Sequence, residues 1–190
     1  SGNWGQLEGT IAITEGTKGY YETKISATGT ANIIGWGESG GRDGTGGQSF
    51  AEGDTIAFQP GSDVLYTGTS TTSSWASYSA TADDVLMFAY DATSMTAVKF
   101  WFGEGGTWFQ SGDPAAGTNA AVTYDCTAGT IRKGPWVPLV ACHTVTDTFN
   151  FGADGFTYTP PSGFSALATQ NLPAPTVTNP SLNVLPILYE

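Results

Sequence analysis

Apolar and polar residues alternate along the chain in short stretches, which is the pattern of β-strands with one buried face. In Ala97–Phe102, for example, Val98, Phe100 and Phe102 share one face. The segment Val85–Asp91 is almost continuously apolar and has the length of a strand buried on both faces. No window shows the period of an amphipathic helix. The pattern predicts about a dozen short strands and little or no helix.

Strand-like stretches occupy most of the chain up to residue 151. The predicted strands are Thr10–Ile13, Gly19–Ile25, Asn32–Trp36, Thr55–Phe58, Val64–Tyr66, Trp75–Tyr78, Val85–Asp91, Ala97–Phe102, Thr107–Phe109, Trp136–Ala141 and Thr146–Phe151. The residues between them are rich in glycine and small polar side chains, as turns are. This organisation predicts an all-β fold, a sandwich of two antiparallel sheets of the jelly-roll type.

The prolines divide the chain into two parts. Residues 1–172 are predicted to form one β-sandwich domain, a length sufficient for one substantial core. Residues 173–190 contain four prolines, at positions 173, 175, 180 and 186. Because proline donates no ladder hydrogen bond, this part is predicted to be an extended strap or a linker to a further module. Its segment Val184–Tyr189 is apolar, so we expect it to dock on the domain or to begin that module.

The charge balance narrows the classes of partner. The chain has 190 residues and a net charge of −11, and only 12% of its residues are charged. Nucleic-acid binding requires a basic face that displaces counterions, so no nucleic-acid partner is expected. The acidic residues are dispersed and are interpreted as a solvating surface. No apolar stretch approaches the ~20 residues that cross a bilayer, so no membrane insertion is expected.

The residues needed for catalysis are not found in any recognisable arrangement. The single histidine, His143, follows Cys142 on a predicted strand, where the two side chains point to opposite faces. Sandwich glycosidases need two carboxylates facing each other, and the adjacent pair Asp83 and Asp84 would diverge on a strand. We therefore expect no enzymatic activity, no metal site and no cofactor.

The two cysteines allow two interpretations. Cys126 and Cys142 flank one loop and could form a disulfide, which would suit an extracellular or virion surface. Alternatively, both are buried small apolar residues.

Several segments resemble, in their order along the chain, the SPRY domains of bacteriophage and environmental virus proteins. These segments are Leu7–Ile11, Gly19–Ile25, Ile33–Gly37, Ala82–Asp91, Phe100–Phe102, Pro138–Val140 and the closing stretch Phe149–Pro175. The chain departs from the family pattern at Asp83, where the family has glycine, and at the turn Gly103–Gly106, where it has Lys-Asn-Gly. The family's usual first strand is largely absent.

The resemblance implies a concanavalin A-like sandwich that binds a partner and performs no chemistry. It implies a virion-associated component, such as a tail fibre or appendage, located on the virion or at an extracellular surface. The partner would be a protein or a surface glycan, and the chain would be a homo-oligomer or part of a larger virion assembly. Two alternatives remain: a carbohydrate-active enzyme on the same scaffold, and an architectural fibre-forming module, which the apolar segment Val184–Tyr189 favours slightly.

Recognition is expected to run through irregular loops. The predicted loops are Gly37–Gly47, Gly68–Ser74 and Gly103–Trp108, which are polar and rich in glycine. The candidate ligand-binding residues are Arg42, Asp43, Trp108 and Trp136, two charges for orientation and two aromatic rings for contact area. Packing inside the domain is the more usual role for both tryptophans.

Overall fold

The protein is a sandwich of two β-sheets. The computed structural model describes residues 5–26, 32–39, 55–68, 70–128, 135–142, 146–168 and 171. The strands are β1 (Gly5–Glu8), β2 (Thr17–Lys24), β3 (Asn32–Glu38), β4 (Thr55–Gln59), β5 (Val64–Thr67), β6 (Ser70–Ser73), β7 (Val85–Ala92), β8 (Val98–Glu104), β9 (Thr107–Trp108), β10 (Val122–Tyr124), β11 (Trp136–Cys142), β12 (Thr148–Asn150) and β13 (Ser165–Ala166). Within these residues the helical elements are three single 3-10 turns, at Pro60–Ser62, Met95–Ala97 and Phe109–Ser111. The predicted all-β class is confirmed.

Both sheets combine strands from distant parts of the chain. The first sheet has the order β1-β11-β3-β4-β5-β6, and the second has the order β10-β8-β7-β2-β12. In addition, β9 pairs with β8, and β13 runs parallel to β2. The other pairs are antiparallel. The predicted antiparallel sandwich is therefore confirmed.

The core between the sheets is built around Trp36, which is fully buried on β3. Its indole lies 5.0 Å from the ring centre of Phe100 and 5.5 Å from that of Tyr21. Tyr21 in turn stacks on Phe88 at 4.7 Å and donates a hydrogen bond to the backbone oxygen of Gly35 at 2.9 Å. Aromatic rings from both sheets thus meet in one apolar layer, which holds the sheets together through their large buried areas.

The outer face of the second sheet is also buried. Tyr20 and Trp101 alternate with core residues on their strands and therefore point away from the core. Phe156 packs edge-on against Tyr20 at 4.8 Å, and Phe164 packs edge-on against Trp101 at 6.1 Å. Residues 151–168, named here the closing segment, thus cover this face. The strap or linker predicted for residues 173–190 lies outside the described residues.

The closing segment is attached to the sheet by Glu22, a carboxylate that is only 1% exposed. Its two oxygens accept the backbone N–H groups of Thr157 at 2.8 Å and Tyr158 at 2.7 Å, and the hydroxyl of Tyr20 at 2.9 Å. A buried carboxylate is tolerated when its acceptor sites are filled in this way. Glu22 therefore connects β2 to a segment more than 130 positions away.

Two predicted strands are irregular in the structure. Thr10–Ile13 is irregular, although the backbone N–H of Ile13 donates to the carbonyl of Trp136 on β11 at 2.7 Å, and Trp75–Tyr78 forms a loop. In that loop the Asp63 carboxylate accepts the backbone N–H groups of Ala76 at 2.8 Å and Tyr78 at 3.4 Å. Since these donors are taken by a side chain, they are not available for a strand ladder.

One predicted recognition loop is instead largely a strand. Within Gly68–Ser74, residues Ser70–Ser73 form β6 at the edge of the first sheet, paired with β5. Gly68, at φ +62°, begins the tight turn between the two strands. A stretch rich in serine and threonine is compatible with a loop or a strand, and threonine favours the strand when a partner strand such as β5 is available.

Buried tyrosines predict a loss of stability in alkaline solution. Burial raises the pKa of Tyr20, Tyr21 and Tyr90 above the ordinary value of 10.0, with the Glu22 carboxylate adding to the effect on Tyr20. Because the pKa is higher in the folded state, the stabilisation is fully present below pH 10 and declines as the pH rises beyond it. We expect urea midpoints to fall above about pH 10. In an ultraviolet titration, the phenolate absorbance of these tyrosines should develop only as the protein unfolds; early, reversible ionisation of all eight tyrosines would contradict this.

Candidate binding surface

The structure separates the predicted contact residues. Arg42 and Asp43 lie outside the described residues, as does most of the loop Gly37–Gly47. Trp108 belongs to β9 and is half-buried, with its ring 6.3 Å from that of Tyr20 on the outer face of the second sheet. Trp108 is therefore largely a packing residue beside the closing segment, with part of its surface open to contact.

Trp136 requires a correction, because it is a core residue. It is 2% exposed and lies between the sheets, 5.3 Å from the ring of Tyr124 and 6.1 Å from that of Phe100. A side chain so buried contacts no partner in this conformation. Trp136 lies in the core between the sheets, whereas Trp108 lies on the outer side of the second sheet, so the structure does not bring them into one site.

No disulfide joins Cys126 to Cys142 in the structure. Cys126 follows β10, packs against the core and donates its backbone N–H to Met95. Cys142 is the last residue of β11, at the end opposite Trp136. Tyr124, two residues before Cys126, packs on Trp136 at the other end of β11. Since seven residues of strand span ~20 Å, the two cysteines are near opposite ends of β11. The disulfide interpretation is corrected to two half-buried thiols. Burial raises the pKa of the Cys142 thiol, as does the nearby Asp147 carboxylate.

An apolar groove opens along one edge of the sandwich. One wall comes from the first sheet, with Leu7 on β1 and Pro138 and Val140 on β11, and the other from Phe149 and Phe151 at the edge of the second sheet. Leu7 is 68% exposed, and among the described residues no other large apolar side chain is exposed. The groove has a volume of about 310 Å³ and is lined almost wholly by apolar atoms. It is named here the edge groove.

Local sequence explains where the strand pairing beside the edge groove ends. The backbone N–H of Gly9 donates to the carbonyl of Pro138 at 2.7 Å, but Pro138 has no N–H to return the bond. The ladder between β1 and β11 therefore ends at the pair Glu8 and Leu139. Beyond this pair the chain is irregular until Ile13, whose backbone N–H donates to the carbonyl of Trp136 at 2.7 Å.

A second cavity, also of about 310 Å³, lies between the start of β2 and the closing segment. Its polar groups already have partners: the Lys18 ammonium is 2.8 Å from the Asp91 carboxylate, and the Thr17 and Tyr90 hydroxyls are 3.2 Å apart. The Thr17 hydroxyl also donates to the carbonyl of Thr14 at 2.6 Å. These contacts tie β2 to its neighbours, so this cavity offers less unsatisfied surface to a ligand than the edge groove does.

Two carboxylates approach each other although sequence reasoning did not pair them. Burial and the negative charge of Asp84 raise the pKa of Glu104. Asp84 accepts the Tyr78 hydroxyl at 2.5 Å and the backbone N–H of Thr81 at 2.7 Å. Both bonds orient Asp84 toward the protein, as in a carboxylate that stabilises a loop. Across the described ranges, no group of three histidine, cysteine, aspartate or glutamate side chains is arranged to hold a metal ion.

Comparisons with solved structures identify the fold. A human SPRY domain superimposes with a TM-score of 0.55 and 15% sequence identity, covering 79% of this chain and 86% of that chain. The SPRY domain of human HERC1 gives a TM-score of 0.47 with 11% identity, covering 79% and 82%. A beta-1,3-glucanase from Mycobacterium marinum gives a TM-score of 0.38 with 10% identity, covering 73% and 57%. No protein-family profile and no curated protein sequence matches the chain. The chain has a SPRY-like fold.

Sequence reasoning missed the edge groove. Phe149 and Phe151 alternate with polar residues, and this signal was interpreted only as a core strand. Leu7 lies in a stretch with few apolar neighbours, so nothing in its local pattern marks it as part of a surface. A proline in the middle of a predicted strand, Pro138, was the one available sign that pairing would end beside it. In the part of the chain that the structure describes, no helix has the length and apolar character to span a bilayer.

Proposed function

We propose that the chain is a non-catalytic binding module that recognises a partner protein through the surface of a SPRY-like sandwich. The observation that carries this proposal is the edge groove, an accessible apolar surface on a domain whose other large apolar side chains, among the described residues, are at least partly buried. An exposed apolar concavity in a folded domain commonly marks an interaction site. The SPRY-like fold supports the same conclusion, although a fold does not by itself define a function.

The proposal extends to the setting of the module. The sequence resemblance to SPRY domains of phage and environmental viruses supports a virion-associated component, such as a tail fibre or appendage, exposed on the particle surface. The net charge of −11 is compatible with a soluble surface component and favours partners with basic residues. A surface glycan is the alternative ligand, and homo-oligomerisation within the assembly is part of the proposal.

The experiment for this setting uses an antibody raised against the purified domain. Particles purified from a culture that produces the protein are immunoblotted and imaged with immunogold, and cross-linking followed by mass spectrometry identifies the protein next to the domain. We expect gold label on the particles and cross-links to one recurrent neighbour. Label confined to the fraction without particles would contradict the virion assignment, and saturable binding to a glycan array would replace the protein partner with a glycan.

The absence of catalysis is also part of the proposal. Asp84 and Glu104 are the carboxylates that the structure brings together, and the raised pKa of Glu104 is the feature most similar to a general acid. We expect no hydrolysis of polysaccharides or esters above the blank, with wild type and Glu104→Gln indistinguishable. Turnover that disappears in Glu104→Gln would show that the protein is an enzyme.

A further inference from the structure

Strand β6 (Ser70–Ser73) is an open edge of the first sheet. It stands last in the strand order, and in the part of the chain that the structure describes no strand pairs with its outer side. All four of its residues are exposed. The outward backbone N–H and C=O groups of such a strand need partners, which are either water or another strand. β6 is therefore a surface to which a further strand can add.

β6 lacks the features that usually block an edge strand. Those features are charged side chains, proline and β-bulges. The residues of β6 are Ser-Thr-Thr-Ser, and the strand pairs with β5 without a bulge, from Ser70 opposite Thr67 to Ser73 opposite Val64. By contrast, β1 at the opposite edge of the same sheet carries Glu8. The shortness of β6 remains as the limit on pairing, so a strand added there is held weakly.

The ends of β6 restrict how a second strand can align with it. Gly68, at φ +62°, lies in the turn before β6, and Ser74, at φ +51°, follows its last residue. A residue in the left-handed region interrupts an extended strand, so pairing is confined to β6 itself. A strand of equal length therefore pairs along its whole length in one antiparallel register, end to end.

The residue order of β6 is the same in both directions. In the end-to-end antiparallel register, two copies of β6 place Ser70 opposite Ser73 and Thr71 opposite Thr72 on both sides of a two-fold axis. Serine thus faces serine and threonine faces threonine, and hydroxyl-bearing pairs of this kind stabilise neighbouring strands. A two-fold dimer requires a surface that complements itself, and β6 meets that requirement. The sequence of the strand therefore points to a second copy of the chain as the partner.

The distribution of charge favours the same partner. The chain has a net charge of −11, so two copies repel each other through their overall charge. Strands β4, β5 and β6 contain no acidic or basic residue. Asp63, next to β5, has its carboxylate turned to the backbone N–H groups of Ala76 and Tyr78. Copies that meet at β6 thus place uncharged strands next to each other, and the repulsion that remains acts over longer distances, where salt screens it.

We propose that β6 pairs with β6 of a second copy of this chain, antiparallel and about a two-fold axis. Two six-stranded sheets then form one continuous sheet across the dimer. This inference rests on the homo-oligomerisation in the proposed function and assigns a surface to it. A contact of four residues on each side is small, so the dimer is transient in dilute solution and persists where copies are held close together, as in a particle. The edge groove lies at the opposite edge of the sheet, beside β1, and stays accessible.

Sedimentation equilibrium of the full chain measures the dimer over a range of protein concentrations. From about 10 µM to about 1 mM, we expect the wild-type chain to show a reversible monomer–dimer equilibrium that is half complete in the upper part of the range. Because like net charges oppose the contact, raising the salt from about 20 to about 200 mM should strengthen dimerisation about two- to fivefold. In ¹⁵N NMR spectra recorded on dilution, the amide shifts should be confined to β5 and β6.

Two double variants test the strand and its register. Thr71→Lys/Thr72→Lys places lysine opposite lysine in the proposed pairing, and Thr71→Asp/Thr72→Asp places aspartate opposite aspartate. Each variant alone should dimerise about tenfold more weakly than wild type, or worse, at low salt. Since Thr71 of one copy faces Thr72 of the other, an equimolar mixture of the two variants has opposite charges in both threonine pairs. The mixture should form a heterodimer at least as stable as the wild-type dimer, which also shows that both variants are folded.

A matched control adds the same two charges elsewhere. Thr107→Lys/Thr123→Lys changes exposed threonines on β9 and β10 of the second sheet. Dimerisation of this variant should stay within about twofold of wild type, because the added charges lie outside the proposed contact.

Three results would overturn the inference: a wild-type chain that stays monomeric at about 1 mM, double variants at β6 that dimerise like the control, or a mixture of the two variants that forms no heterodimer. These failures differ from a failure of the proposed function. If a dimer forms but resists both variants, homo-oligomerisation uses another surface. If the chain is monomeric yet still cross-links to its neighbour on the particle, the binding function stands without this dimer.

Discussion

Replacing Glu22 with alanine is expected to destabilise the protein by about 3–5 kcal/mol, because three hydrogen-bond donors lose their common acceptor. The donors are the backbone N–H groups of Thr157 and Tyr158 and the Tyr20 hydroxyl. Tyr20 is fully buried, so its hydroxyl cannot turn to water without moving Phe156 or Trp108. Urea denaturation followed by circular dichroism measures the loss.

The loss should be concentrated in the closing segment. Without Glu22, residues 151–168 keep their ring contacts with Tyr20 and Trp101 and the pairing of β13 with β2, but Thr157 and Tyr158 lose their attachment to the sheet, so we expect cleavage near Gly155 by a broad-specificity protease to accelerate strongly. Glu22→Gln retains the size of the side chain but turns an N–H₂ group toward one backbone donor, and it should cost about half as much. Glu15→Ala removes an exposed carboxylate from the turn before β2 and should stay within about 0.5 kcal/mol of wild type. If Glu22→Ala equals this control in both assays, Glu22 does not hold the closing segment.

Trp36→Ala is expected to cost about 3–5 kcal/mol, which is a large part of the stability of a domain of this size. The indole, on β3 of the first sheet, contacts rings of the second sheet, Phe88 at 5.9 Å and Phe102 at 5.7 Å in addition to Tyr21 and Phe100. A cavity at this point removes contacts from both sheets at once. The midpoint of thermal unfolding should fall by ten degrees or more, since each kcal/mol of lost stability lowers it by about 3 °C.

The conservative change Trp36→Phe distinguishes volume from hydrogen bonding. The Nε1–H of Trp36 is buried and has no hydrogen-bond partner among the described residues. Phenylalanine removes this unsatisfied donor, which offsets part of the cost of the smaller ring. We therefore expect Trp36→Phe to lose only about 1 kcal/mol. A cost close to that of alanine would mean that the indole N–H has a partner and contributes to stability.

The sequence indicated the faces of the strands more reliably than their partners. The alternation in Ala97–Phe102 placed Phe100 and Phe102 on one face, and both lie in the core, with Trp101 on the opposite face. The alternation could not show that Trp101 is nevertheless buried, because its cover comes from Phe164, which lies 63 positions away. Single-strand patterns record which side chains share a face and contain no information on what lies above that face.

The candidate site was less accessible to sequence reasoning. Trp136 was a candidate contact residue although packing was the more usual role for it, and the ring of Tyr124 packs against it inside the sandwich. The loop at Gly68–Ser74 became an edge strand because β5 was available as a partner. Asp84 and Glu104 were not paired in the sequence analysis, since 20 positions separate them and only the β7–β8 hairpin brings them together.

By itself, the sequence determined the all-β class and most of the strands. These features depend on local alternation, glycine-rich turns and prolines, all of which act over a few residues. The tertiary structure alone decided the strand order, the burial of Glu22 beneath the closing segment and the open edge between Leu7 and Phe149. The burial of Glu22 and the open edge join residues more than 100 positions apart, and all three depend on how the two sheets are assembled, which no local pattern specifies.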